Sequence, residues 1–432
     1  MNRRLTERLA ALRRHLPLGL SYIASSGSLV AASAAQLLTF AILARALGPA
    51  EFGRLIEFTA LTNVAVHICG LGASDCLLRR VSQNRAMYPA MLGHNAILIA
   101  VTGSLLVGLG LATLPFWLKV SPDPATNLGA TALLLVTNVV LVRMILLAEL
   151  IFLGHSRFAS ANRAVVGYAL ARTLTAVTAC LVFSTASLAQ WAVWQFAGNL
   201  VVVAAYGWWL RGLGRPRFVI VRNEIRLGLY FCSQFVARAI RQNADLFMLG
   251  LVSSIEVVGS YGVARRILDS SYLSIDALNR LVFPRFAKTS LDGIHATMPG
   301  ALRLLPIALA LGTATSLGLF LVSGYLPLIF GQDYTSLSRF VRILAWIPIL
   351  IAASSVAMDV LGASSHQGER AAIVNATNLG GALLIVWWSW WFPPNGTLAA
   401  LYVIEACTIA AAWLILLRLV RRSAARAMAT AA

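Results

Sequence analysis

Arg238, Arg241 and Asp245 are spaced i, i+3 and i+7, and Arg265, Arg266 and Asp269 follow in the next apolar stretch. The first spacing puts all three charges on one helix face, and Gln242 and Asn243 widen that polar stripe. A charge at mid-bilayer depth is expensive and marks a polar cavity or pathway. Guanidinium forks stay charged and pair bidentately with phosphate oxygens, so the cluster suits a phosphate-bearing anion held by attraction, without proton chemistry. If the two stretches run antiparallel about a turn near residue 255, Asp245 comes level with Arg265 and Arg241 with Asp269. Two cross-helix ion pairs then compete with the ligand reading, because such pairs also simply fasten helices together. Four arginines against two aspartates still leave positive charge over, at Arg238 and at Arg265 or Arg266.

Further charges extend the pattern: Arg143 and Glu149, Arg172, Asp276 and Arg280, Asp359 and Glu405 all fall in apolar stretches. Arg143 and Arg172 are deep and join Arg238, Arg241, Arg265 and Arg266 as candidate anion contacts. An ion-coupling role needs carboxylates, for which Asp245, Asp269, Asp359 and Glu405 are the candidates. A carboxylate among arginines keeps its charge, so Asp359 and Glu405, expected to lie away from arginine, suit proton carriage better. Asp75 and Glu149 sit near the ends of their stretches, where they cap or snorkel. No catalytic or metal-binding motif emerges, and no cofactor is expected. The six histidines are isolated from one another, there is no glycine-rich phosphate loop and no nucleophile elbow. Five scattered cysteines, Cys69, Cys76, Cys180, Cys232 and Cys407, all in apolar stretches, read as packing residues.

The elements that must position these charges are membrane helices. The chain has 432 residues, 59% of them hydrophobic and 12% charged. Soluble domains carry about a quarter charged residues, so this is an integral membrane protein. Twelve runs long enough to span the hydrocarbon are expected, at 21–46, 54–78, 90–118, 126–153, 162–183, 188–210, 227–252, 258–283, 301–328, 339–362, 371–392 and 397–417. Basic residues crowd one side of them: Arg3, Arg4, Arg8, Arg13 and Arg14, then Arg79, Arg80 and Arg85, Arg157 and Arg163, the 211–226 connection, Arg285, Lys288 and Arg370, and the tail from Arg418 to Arg426. The positive-inside rule puts both termini in the cytoplasm. The net charge of +19 is spread over these membrane-flanking segments, where anionic headgroups account for it, so nucleic acid is not an expected partner. Residues 18–46 are too long for the core of a cleaved signal and read as the first span.

The basic 211–226 connection divides the chain into a lobe at 1–210 and a lobe at 227–432, each with six expected spans. Leu47-Gly48-Pro49-Ala50-Glu51-Phe52-Gly53 after the first span is echoed by Ser253-Ser254-Ile255-Glu256-Val257-Val258-Gly259 after the seventh. An internal duplication, with two six-helix lobes around a central cavity, is the expected architecture; a single bundle without repeats is the alternative. Trp387, Trp388, Trp390 and Trp391 at one level, and Trp208 and Trp209 at the other, read as interfacial anchors.

Several stretches resemble the polysaccharide-transport branch of the multidrug/oligosaccharidyl-lipid/polysaccharide superfamily, which includes the Wzx-type O-antigen flippases. They are Ala44-Arg45-Ala46-Leu47-Gly48-Pro49-Ala50-Glu51-Phe52-Gly53; Gly70-Leu71-Gly72 through Arg79-Arg80; Gln242-Asn243-Ala244-Asp245 with Glu256, Gly259, Tyr261 and Ala264-Arg265-Arg266; Phe283-Pro284-Arg285-Phe286; and Phe330-Gly331-Gln332-Asp333-Tyr334 with Arg342-Ile343-Leu344. The resemblance implies an all-α, twelve-helix, two-lobed transporter like the multidrug exporters of that superfamily. It also implies a cargo, an undecaprenyl-diphosphate-linked oligosaccharide repeat unit for O-antigen, capsule or exopolysaccharide, moved across the bacterial inner membrane by alternating access. Implied partners are that lipid-linked sugar, membrane lipids and polysaccharide assembly proteins. The family motifs do not specify contact residues, so the arginines named above are assigned by position and charge.

Two other functions compete. A multidrug or cation antiporter of the same superfamily predicts more carboxylate and aromatic character in the cavity. A membrane polymerase or ligase needs large extramembrane loops with catalytic polar residues, whereas the longest connection here, 211–226, is short.

Overall fold

The computed structural model describes the backbone of residues 2–118, 120–364 and 366–431, and the side chains of residues 30–423 except 117, 119, 277, 280, 281, 284, 285, 287 and 365. The side chains of Arg3, Arg4, Arg8, Arg13, Arg14, Lys119, Arg280, Arg285 and Arg426 therefore lie outside the described residues. Among the described residues the chain is all helix and turn, with no strand.

Helix α1 (Asn2–Ile68) is two helices merged across Gly48, whose φ of 72° breaks the run. A left-handed φ is cheap for glycine, and Pro49 then pre-sets the first turn of the second helix. The chain goes on through α2 (Ala73–Gln83), α3 (Tyr88–Trp117), α4 (Pro124–Leu135), α5 (Val142–Gly154), α6 (Phe158–Val177) and α7 (Leu188–Leu210). A π-helical stretch, Val136–Leu141, joins α4 to α5 as one continuous rod. Beyond the 214–221 loop come α8 (Arg222–Val252), α9 (Ile255–Ser271), α10 (Leu273–Thr289), α11 (Ile294–Val322), α12 (Leu326–Phe330), α13 (Leu337–Leu344), α14 (Ile347–Ala363), α15 (Gln367–Trp391) and α16 (Asn395–Ala431).

Among the described residues, nine stretches are long and apolar enough to cross a membrane. Length and apolarity alone thus do not reach the expected twelve, for two physical reasons. The first stretch, Val30–Ile68, contains the turn at Gly48. The helices at 222–252 and 255–289 are formed but carry the charged cluster and fall short on apolarity. Many large apolar side chains point outward, among them Leu174 at 66% and Leu383 at 71% exposure. An apolar exterior of this kind is what lipid requires. Trp387, Trp390 and Trp391 are also exposed.

Contacts divide the chain into two compact units, residues 1–47 with 61–236, and residues 48–60 with 237–432. In the first unit, Cys76, Leu77, Val81, Met91, Val139 and Ile151 pack between α2, α3 and α5. In the second, Ala301, Ala308, Val356, Val360, Ala412 and Leu416 join α11, α14 and α16. The second unit also brings the two echoed turns together. A Cβ on Gly53 would overlap the Ile255 carbonyl oxygen, and one on Gly259 would overlap that of Pro49. Only glycine at both positions lets these backbones meet.

Candidate functional site

The charged stripes of α8 and α9 meet inside the second unit. Asp245 is 1% exposed, and its Oδ2 lies 3.3 Å from Arg265 Nε and accepts a 2.7 Å hydrogen bond from the Tyr261 hydroxyl. The Arg265 contact is ionic without being a directed hydrogen bond, since Nε meets no hydrogen-bond partner in aligned geometry. Arg265 Nη1 also reaches Asp269 Oδ1 at 3.8 Å along its own helix, and Tyr272 is a further electrostatic neighbour of Arg265.

The expected Asp245 and Arg265 pair is therefore present. The expected Arg241 and Asp269 pair is not, because Asp269, four residues after Arg265, is drawn to that nearer guanidinium. Arg241 is left half-buried with no ion pair among the described residues and with its Nε buried and unbonded. Arg238 is exposed and likewise makes no ion pair among them. Arg266 and Arg241 both act electrostatically on Asp269. Arg241, Arg265 and Arg266 thus converge on Asp269, and Arg265 also reaches the buried Asp245.

The carboxylates do not divide as their sequence positions suggest. Glu405 on α16 lies in the field of Arg241 and Arg265, so it belongs to the cluster instead of standing apart from arginine. Asp359 on α14 is 8% exposed with an Oδ2 unbonded among the described residues, and Arg370 acts on it electrostatically, so it does not stand apart from arginine either. A third buried carboxylate, Glu57, escapes the sequence reading. It is 7% exposed and packs on α8 where a Cβ at Gly250 would come within 2.7 Å of its carboxyl carbon.

Arg143 and Arg172 lie in the first unit, each with partners of its own. Arg143 is 6% exposed and donates 3.0 Å to Ser74 Oγ, which in turn donates 3.0 Å to Asn95 Oδ1. Asn95 ties the chain together by donating to the carbonyls of Ala73 and Met91. Arg172 stands 5.8 Å from the ring centre of Tyr168.

Another carboxylate, in the first unit, escapes it too. Glu224, 1% exposed at the start of α8, accepts 3.0 Å from Arg79 Nη2 and 2.6 Å from Arg80 Nε at the end of α2. Burial raises the Glu224 carboxyl, and the hydrogen bonds and charges of Arg80 and Arg79 outweigh that, leaving it below the ordinary range. Sequence spacing shows Arg79 and Arg80 only as topology signals; their partner lies 144 residues or more away. Among the described residues no group of His, Cys, Asp and Glu is arranged to hold a metal, and all five cysteines are free.

Residues 19–290 match the family described as polysaccharide biosynthesis protein. Among solved structures, a multidrug resistance transporter of the MATE family and MOP superfamily, in its inward-facing conformation, superposes with a TM-score of 0.71 at 14% identity, over 91% of this chain and 95% of that one. The lipid II flippase MurJ, in an inward closed conformation, gives 0.69 at 13% identity, over 92% of this chain and 87% of that one. The MATE multidrug transporter DinF-BH, in a ligand complex, gives 0.62 at 15% identity, over 93% and 95%. No curated protein sequence matches significantly. At these identities the likeness establishes the fold.

Proposed function

The chain belongs to the polysaccharide biosynthesis protein family, and from that premise we propose that it is a flippase for an undecaprenyl-diphosphate-linked oligosaccharide repeat unit. The observation that carries the reading is that two arginines of the α8–α9 cluster, Arg238 and Arg241, stand outside its ion pairs among the described residues. Asp245 is already engaged by Arg265 and Tyr261, whereas Arg238 and Arg241 make no ion pair among the described residues. A diphosphate offers the anionic oxygens that such guanidinium groups take up bidentately. The fold is shared with MurJ, which is described as a flippase for lipid II, and this favours a lipid-linked cargo.

In this reading Arg238, Arg241, Arg265 and Arg266 attract the diphosphate while the lipid tail stays in the bilayer. Arg143, held by Ser74, shapes the wall of its own unit, and Arg172 is kept as a secondary anion contact. The lobes 1–210 and 227–432 with their 211–226 linker are repeats that alternate access. The protein is a carrier and not an enzyme, sits in the inner membrane with both termini cytoplasmic, and hands its cargo on to polysaccharide assembly proteins. Asp359, with its unbonded oxygen, is the leading coupling carboxylate; Glu405, Asp245 and Asp269 are held by arginine.

Those buried acids also favour a second reading, a cation or multidrug antiporter like the MATE proteins that share the fold. Expression in a flippase-deficient strain separates the two: restored surface glycan supports the first reading, whereas drug resistance without glycan supports the second.

A further inference from the structure

A lateral trough in the first unit lies apart from the arginine cluster and takes no part in the function proposed above. It encloses about 730 Å³ and is walled by α3 from Tyr88 to Ala100, by residues 140–151 of the α4–α5 rod, and by α7 from Val203 to Leu210. Residues 211–216 close one end. The walls are apolar, with Leu92, Ile99, Met144 and Val203 along them.

The closed end is different. Arg211 and Arg215 are exposed there, with the Arg211 guanidinium 4.3 Å from the Trp208 ring centre. Tyr88 is 1% exposed, and its hydroxyl is buried with no hydrogen-bond partner. That hydroxyl is sealed from solvent, so it is not open to a headgroup and the arginines alone can meet one. Exposed cationic groups at one end of an otherwise apolar trough match an amphiphile with an anionic head.

The length decides which amphiphile. Tyr88 to Ala100 rises about 18 Å at 1.5 Å per residue. That is little more than half of a hydrocarbon core of about 30 Å, the depth of one leaflet. A long polyprenyl tail overruns such a trough. A second copy of the chain would bring more of the same basic connections, Arg79, Arg85 and Arg157 among them, against Arg211 and Arg215. We propose that the trough binds one anionic phospholipid, its phosphate held by Arg211 and Arg215 and its acyl chains lying along α3, α5 and α7. Which leaflet it comes from rests on the orientation proposed above; the site itself does not.

The test is native mass spectrometry of the full-length, delipidated chain titrated with phosphatidylglycerol or with phosphatidylcholine of the same acyl chains. The expected result is one phosphatidylglycerol retained per chain with a roughly thirtyfold preference, the fold-change two arginines supply toward an anionic headgroup. The exposed pair Arg211→Gln and Arg215→Gln, which loses only the surface contact of Arg211 with Trp208, should bring the preference to within about twofold. Ala96→Trp, which projects an indole into the trough, should lower retention of both lipids. Equal retention of the two lipids by the unaltered chain, or undiminished phosphatidylglycerol retention in the double variant, overturns the proposal. So does a lipid-free dimer seated on this face. Because nothing is transported in this measurement, a chain that binds the lipid yet flips no oligosaccharide would defeat the flippase reading alone.

Discussion

Arg265 holds Asp245 at 3.3 Å across the α8–α9 crossing, and Tyr261 donates to the same carboxylate oxygen. With Asp245 1% exposed at the side chain, removing Arg265 strands that charge away from water, whereas removing Asp245 leaves Arg265 its 3.8 Å contact with Asp269. Arg265→Gln should destabilise the second unit by about 3–5 kcal/mol, and Asp245→Asn by less. Thermal melting of purified protein checks this, and the exchanged pair should recover most of the loss. Unchanged melting in the single variants would show that the pair holds nothing together.

Arg238 and Arg241 should behave in the opposite way. Neither makes an ion pair among the described residues, and Arg238 is exposed, so Arg238→Gln should leave melting within about 0.5 kcal/mol while reducing transport. Lysine at 238 keeps the charge and loses the fork, which predicts intermediate transport. Equal activity in all three forms would remove Arg238 from the binding surface.

The Gly53 and Gly259 crossing is intolerant of side chains, because each added Cβ would overlap a backbone oxygen. Gly259→Val should cost more than the roughly 1–3 kcal/mol typical of an overpacked site, and should be read as lost folded yield by gel filtration. Full yield with normal melting would mean that the two turns separate freely.

Glu224 supplies the pH test. Its folded-state carboxyl lies below the ordinary range, so its contribution is complete above the unfolded value of about 4.3 and is lost as pH falls through the lower folded value. Melting of the native chain should exceed that of Glu224→Gln by a constant margin from about pH 8 down to about pH 5, and the margin should close below about pH 4. Arg79 and Arg80 are 39% and 40% exposed at the side chain, so each contact contributes at most about 1 kcal/mol. A margin that grows in acid would reverse the assignment.

Much of the second unit's site is legible in the sequence for a geometric reason. Helical spacing puts Arg238, Arg241 and Asp245 on one stripe, and counting back from the turn near 255 puts Asp245 level with Arg265. The same count fails for Arg241 and Asp269, since it weighs cross-helix register and ignores the pull of Arg265 within its own helix. It also separates Glu405 from arginine, because α16 is distant in sequence from α8 and α9 and only folding brings it to them. Tyr261 stands out in the sequence as a motif residue without a partner; its hydroxyl contact with Asp245 depends on rotamer, which spacing does not encode. Glu57 and Glu224 each sit beside better-marked residues, the Gly53 turn and the basic connection, and their roles come from packing partners elsewhere in the chain.

The central claim is that the arginine surplus carries a lipid-linked oligosaccharide diphosphate across the bilayer. Its most direct test is the protein reconstituted in liposomes, with fluorescent polyprenyl-diphosphate-linked oligosaccharide in the inner leaflet and its appearance outside read by a membrane-impermeant quencher. The prediction is protein-dependent appearance that falls in Arg238→Gln, which melts normally, and that is competed by the unlabelled diphosphate lipid. Appearance at the protein-free rate, together with uptake of a cationic dye by the same liposomes, would contradict it.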